Sequence, residues 1–200
     1  MSTAIATKDY EAKTYPSQGF EGISQEQLEQ HFKLYQGYVT NTNKLNAALA
    51  QQLAKGKEGT PEYNEQKRRF GFEYSGMRLH EYYFGNLKPQ GSQLAAGSAL
   101  RRQIEQDFGS YDAWQRDFKA TGLMRGIGWA VLYQDPMTKR LQNFWVSDHE
   151  NGHPAGFLPI LVMDVWEHAF TVDFKPTEKA KYIEAFFANI DWQAAEARLV

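Results

Sequence analysis

The sequence predicts an α+β protein, with a long antiparallel helical hairpin at the N-terminus packed on a C-terminal α/β region that carries a three-stranded antiparallel sheet. Three observations lead there. Two apolar stripes at helical spacing occupy the first part of the chain, three short β-rich segments separated by turn-forming residues follow, and helical patterns close it. Helices, then strands, then helices is the order of an α+β chain rather than of a doubly wound sheet. Of the 200 residues, 42% are hydrophobic and 14% aromatic, which is enough to build a sizeable core.

The first stripe is Leu28, Tyr35, Tyr38, Leu45 and Leu49, and His31 falls in the same series. Ser24 and Gln27 have the spacing of a capping box, which starts the helix there. Gly56 and Gly59-Thr60-Pro61 break the pattern. A second stripe follows, Phe70, Tyr74, Met77, Phe84 and Leu87, with His80 in its central gap, so each helix of the hairpin carries one histidine inward. The segment 88–98, with Pro89, Gly91 and Gly97, reads as a linker, dividing a helical-hairpin domain over 1–92 from an α/β domain over 93–200. Two shorter helices are predicted over 99–108 and 111–122. Gly126-Ile127-Gly128-Trp129 then introduces strands at about 128–134, 141–147 and 157–164, separated by the turn-rich DPMTK and DHENGHPAG. Helical patterns over 177–189 and 192–199 end the chain, and no internal repeat is visible.

The absence of cysteine excludes disulfides, thiolate catalysis, zinc–thiolate sites and cysteine-bound iron–sulfur clusters, so any metal must be held by histidine and carboxylate. A formal net charge of −2 with interspersed signs gives no footprint for a nucleic-acid or membrane partner. MSTAIATKDYEAKTYP lacks a basic start followed by an apolar core, and no segment approaches the ~20 apolar residues of a spanning helix. A cytoplasmic protein is expected.

The most informative stretch is FLPILVMDVWEHAF at 157–170, where an apolar run ends on Asp164 and His168 follows four residues later. Anionic oxygen and neutral nitrogen together suit iron or manganese held without sulfur. Taken singly, such a pair also fits a surface turn or a hydrogen-bonded core pair, and a lone histidine on an apolar helix face fits a satisfied core residue. The chain has five histidines, His31, His80, His149, His153 and His168, and the first two face a common core. With Asp164 and His168 they make three nitrogens and one oxygen, leaving positions open for solvent and a small substrate.

At these residues the sequence resembles the iron/manganese superoxide dismutase family, over most of the chain from about residue 20. DVWEHAF at 164–170 is similar to that family's most specific motif. HFKLYQGYVTNTNKL at 31–45 resembles the end of its first long helix, LHEYYFGNL at 79–87 its second, and FGSYDAWQRDF with GIGWAVL its sheet-bearing half. The resemblance implies superoxide dismutation by one iron or manganese ion per subunit, iron the favoured of the two, held by His31, His80, Asp164 and His168. It further implies that Tyr38 gates the substrate funnel and relays protons, and that Trp129 and Trp166 wall the metal site. Tyr83 falls on a family tyrosine, and Phe84 stands where many members carry tryptophan. The family's glutamine donor to metal-bound solvent is missing: Gly76 occupies its helix position, and VSDHENGH at 146–153 makes His149 the implied donor. Glu167 is implied to reach His168 of a second subunit, making a homodimer. On the residues alone, Tyr38 fits a core tyrosine better and Glu167 a surface acid, while His149 fits an exposed turn as well as a donor.

The sequence also departs from the family's pattern. His31 and Tyr38 are one residue closer than in the family, so a bulge is expected to be missing from the first helix, and an ungapped count back from Tyr38 lands on Gln30. A histidine–tyrosine pair across the family's dimer interface is replaced by Leu34 and Thr171, and a funnel arginine by Lys175 or Lys179. Two competitors follow. A non-haem iron oxygenase needs only two histidines and a carboxylate, and a fourth protein ligand would fill a position it wants open. A catalytically weak or inactive relative that keeps the fold as an interaction module is the other.

Overall fold

The computed structural model describes residues 8–200; the first seven, part of the stretch read above as lacking an export signal, lie outside the described residues. Among the described residues no helix is long and apolar enough to cross a membrane.

Helix α1 spans Gln25–Ala54 and α2 spans Pro61–Phe84. No bulge interrupts α1. Ser24, in extended conformation, caps it by accepting from the Gln27 amide at 3.0 Å, but the box is only half formed because the Gln27 side chain turns into the protein instead. Thr60 caps α2 ahead of Pro61, whose missing N–H costs nothing at a first helical position. The two helices run antiparallel: Gln52 bonds Gln66, Asn41 bonds Glu73, and Tyr35 bonds Glu81.

Burial along the hairpin differs from the expected stripes at its far end. Val39 and Thr42 are buried, whereas Tyr38, Leu45, Phe70 and Tyr74 are only partly so. The reason is coverage: β3 packs on α2 and the turn after it on α1, whereas Tyr74 is covered by Tyr10 of the N-terminal segment and Tyr38 by His149, single side chains that leave part of each ring open. Leu87 lies past the end of α2, bridged to Ile190.

Helices α3 (Ala99–Phe108) and α4 (Tyr111–Leu123) precede strands β1 (Gly128–Gln134), β2 (Leu141–Ser147) and β3 (Leu158–Asp164). The sheet is antiparallel in the order β2-β1-β3, with α4 packed on β1 and β2. In this register Trp129 faces Val146 on one side and Asp164 on the other. A 3-10 turn (Glu167–Ala169) follows β3, and a second (Pro176–Glu178) leads into α5 (Lys179–Ala188) and α6 (Trp192–Glu196). The last helix stops short of the expected residue 199. Past it the Arg198 and Leu199 amides still make turn bonds to Ala195 and Glu196, while the Arg198 guanidinium points inward to the carbonyls of Ile160 at 2.9 Å and Tyr82 at 3.3 Å and the Val200 N–H goes to the Gln134 side chain. One hydrophobic cluster includes Tyr35 and Met77 of the hairpin with Trp114, Val131, Leu161 and Phe186.

Candidate metal centre

His31 from α1, His80 from α2, Asp164 from the last position of β3 and His168 from the 3-10 turn converge so that one ligand atom of each lies within 4.8 Å of every other. Asp164 Oδ2 is 3.0 Å from His31 Nε2, 3.2 Å from His168 Nε2 and 3.6 Å from His80 Nε2. The other carboxylate oxygen is held by the Trp166 amide at 2.8 Å, and Tyr182 donates to the Asp164 carbonyl at 2.7 Å. Gln27 ties the turn to α1: its amide donates to the His168 carbonyl at 2.7 Å, and its oxygen accepts from the Val172 N–H at 3.0 Å. Gln30, the ungapped alternative to His31, bonds Glu26 on the exposed side of α1.

The donor set fits a cation. His80 Nδ1 lies 2.6 Å from the Gly76 carbonyl, which can only accept, so the ring proton is on Nδ1 and Nε2 is a bare lone pair. That Nε2 is fully buried without a hydrogen-bond partner, as is His31 Nδ1. Burial lowers the pKa of both rings, keeping them neutral. Burial also works against the Asp164 carboxylate, but His168 beside it and hydrogen bonds from His168 and His31 outweigh this and hold its pKa well below the ordinary range. Three imidazole nitrogens and one ionised oxygen, with no thiolate, are what iron or manganese accepts.

His149 lies beside this cluster and is buried, not exposed in its turn. Trp129 Nε1 donates to His149 Nδ1 at 3.1 Å, and since an indole N–H can only donate, the neutral ring carries its proton on Nε2. His149 Nε2 is 2.7 Å from Tyr38 Oη, so it donates there and leaves the Tyr38 O–H free as the outermost donor of the chain. Burial pushes the Tyr38 hydroxyl well above its ordinary pKa, aided by Asp164 and Glu73, and depresses His149 to about 4. The His149 ring stacks on Trp166 at 4.7 Å, and Trp166 in turn on His168 at 5.5 Å. Gly76 makes the space: a Cβ there would stand 2.7 Å from Tyr38 Cδ1 and 3.2 Å from His149 Cδ2.

A family profile described as iron/manganese superoxide dismutases, C-terminal domain, matches residues 96–198. The iron superoxide dismutase of Aquifex pyrophilus is 39% identical over 186 residues, covering 90% of this chain and 86% of that protein. The chain belongs to the iron/manganese superoxide dismutase family. A manganese superoxide dismutase of Haloferax volcanii is 36% identical over 177 residues, covering 88% and 86% of the two chains. The iron superoxide dismutase of Cupriavidus metallidurans is 37% identical over 180 residues, covering 88% of each. Relatives named for either metal thus match this superoxide dismutase family member about equally.

Around the cluster, Tyr83 is buried against Tyr182, and Phe84 packs 4.9 Å from His31. Of the two candidate funnel lysines, Lys175 is exposed, whereas Lys179 is partly buried, donates to the Met124 carbonyl at 3.0 Å and feels the charge of Asp164. Glu167, Leu34 and Thr171 are exposed. Sequence reasoning missed Gln27 and Tyr182. Gln27 precedes His31 by one helical turn on the same face, a signal that its assignment to the cap obscured; nothing local marks Tyr182.

Proposed function

We propose that this chain is a superoxide dismutase, converting two superoxide anions and two protons to dioxygen and hydrogen peroxide, with one iron or manganese ion held by His31, His80, Asp164 and His168. The observation that carries the reading is the buried, partnerless His80 Nε2 facing an ionised Asp164. When bound, the metal supplies the one-electron chemistry that takes an electron from one superoxide and gives it to a second. Iron is the ion we favour, supported by the iron-named Aquifex relative.

The chain's own residues bind, shield and deliver protons. Trp129 and Trp166 exclude water from two sides of the cluster. Tyr38, kept protonated by burial, offers its O–H toward the substrate; the His149 Nε2–H donated to its oxygen orients the hydroxyl and would stabilise the anion left after proton transfer, with re-protonation coming from solvent, which is how His149 would tune proton delivery through Tyr38. Lys179 adds local positive charge for an anionic substrate on a chain of formal net charge −2.

A homodimer is the proposed assembly, Glu167 of one copy meeting His168 of the other. Supporting it, exposed Glu167 lines one hollow with the exposed apolar residues Leu123, Met124 and Ile127, and the His168 side chain retains 21% exposure.

Stopped-flow superoxide decay on protein reconstituted separately with iron and with manganese, at verified metal content, tests the function. Fast decay proportional to metal is expected. Full occupancy without catalysis would sink the assignment and favour an interaction module.

A further inference from the structure

His153 has no role in the reading above, yet both of its ring nitrogens are engaged although the residue is exposed. Its Nε2 lies 2.9 Å from the His149 carbonyl, an obligate acceptor, so the proton sits on Nε2 and is donated there. Nδ1 is then a lone pair, and Tyr133 Oη donates to it at 2.7 Å. Tyr133 is a buried residue of β1, at the point where the β1–β3 register shifts. Four residues earlier on that strand, and so on the same face of the pleat, stands Trp129, whose indole holds the His149 ring. One strand therefore anchors His149 twice, at the ring through Trp129 and at the backbone through Tyr133 and His153.

The loop between these anchors is tightly built. Asp148 has a φ of 52°, and its carbonyl accepts from Trp166 Nε1 at 3.2 Å. Ser147 and Asn151 close a bridge beneath it, and a Cβ on Gly152 would stand 2.5 Å from the Trp145 carbonyl. A backbone so constrained fixes where the His149 ring is launched, and the bond from His153 falls on the residue that carries that ring.

We propose that His153 is a positioning residue: backed by Tyr133, it clamps the His149 backbone so that the imidazole keeps its place between Trp129 and Tyr38. It touches neither the candidate metal ligands nor substrate, and acts only through His149. The consequence for proton delivery rests on the superoxide dismutase reading; the geometric claim does not.

The test compares wild type with His153→Ala, His153→Gln and Tyr133→Phe as full-length chains. The first readout, on ¹⁵N-labelled metal-free protein, is the Trp129 indole N–H resonance and its exchange with solvent, which report the bond to His149 whether or not the chain is an enzyme. His153→Ala is expected to speed that exchange about tenfold, the scale of one lost hydrogen bond. His153→Gln, which restores an N–H donor, should return it to near wild type, and Tyr133→Phe should give a smaller change of the same sign. The second readout, on iron- or manganese-loaded protein, is the pH profile of superoxide decay, expected to change in His153→Ala at unchanged metal content and to recover in His153→Gln. An unaltered Trp129 resonance and exchange rate in His153→Ala would overturn the proposal, as would a loss that glutamine fails to rescue. Absence of decay in fully loaded wild type would instead count against the enzymatic reading and leave the Trp129 comparison decisive for this one.

Discussion

His80 Nε2 and Asp164 Oδ2 face each other at 3.6 Å inside the protein with no proton on either to join them, because the Gly76 carbonyl has claimed the one the imidazole carries. Two buried acceptors so placed call for a cation. Replacing Asp164 with asparagine removes the anionic donor at nearly constant volume. The Asp164→Asn chain should fold but lose iron or manganese on dialysis against a chelator, read by elemental analysis, with activity lost in parallel. Metal retained at the wild-type level would mean that the ion is not held here.

Tyr38 is the outermost donor of the Trp129–His149–Tyr38 series. Tyr38→Phe should leave metal content intact and slow the proton-dependent half-reaction by about 10- to 100-fold, within the range of general acid catalysis. Pulse radiolysis resolves the two half-reactions, and identical kinetics would remove Tyr38 from the relay.

At Gly76 the missing side chain is itself functional space, since even a methyl would stand 2.7 Å from the Tyr38 ring. Overpacking of this kind costs about 1–3 kcal/mol. Gly76→Ala should therefore lower the unfolding midpoint in urea and perturb the Tyr38–His149 bond, while an unchanged midpoint would show that the two rings yield freely.

Protonation sets the acid limit of the metal-free fold. Burial lowers the folded-state pKa of His31, His80 and His149, the last from 6.5 to about 4. As pH falls below 6.5 the unfolded chain takes up protons that the folded chain refuses, so stability declines from 6.5 toward 4. For Asp164, burial raises the pKa but its histidine contacts lower it further, so its contribution is full above 3.8 and is lost only in stronger acid. Urea denaturation at neutral pH and at about pH 5 should show the decline, and His149→Gln should flatten it. Equal stability at both pH values would contradict the buried neutral imidazoles.

The sequence by itself determined the elements and much of their order. Period-3.6 stripes place His31 and His80 on inward helix faces, β-rich composition and turn residues delimit three strands within a residue of their observed ends, and DVWEHAF carries the family resemblance. These are local properties, because side-chain direction follows from the repeat of the element that bears it. Where local signals failed, a tertiary hydrogen bond had won. Gln27 spends its amide on the His168 turn instead of its own helix cap, and at the end of the last helix the Val200 N–H goes to the Gln134 side chain while the Arg198 guanidinium reaches the carbonyls of Ile160 and Tyr82. Only the tertiary structure decided which proton sits on which histidine nitrogen. Those tautomers depend on acceptors and donors brought from afar: Trp129 and Tyr38 on either side of His149, 20 and 111 residues away in sequence, and Tyr133 behind His153. A histidine's chemistry is set by what its second nitrogen meets, and that partner is a fact of the folded chain.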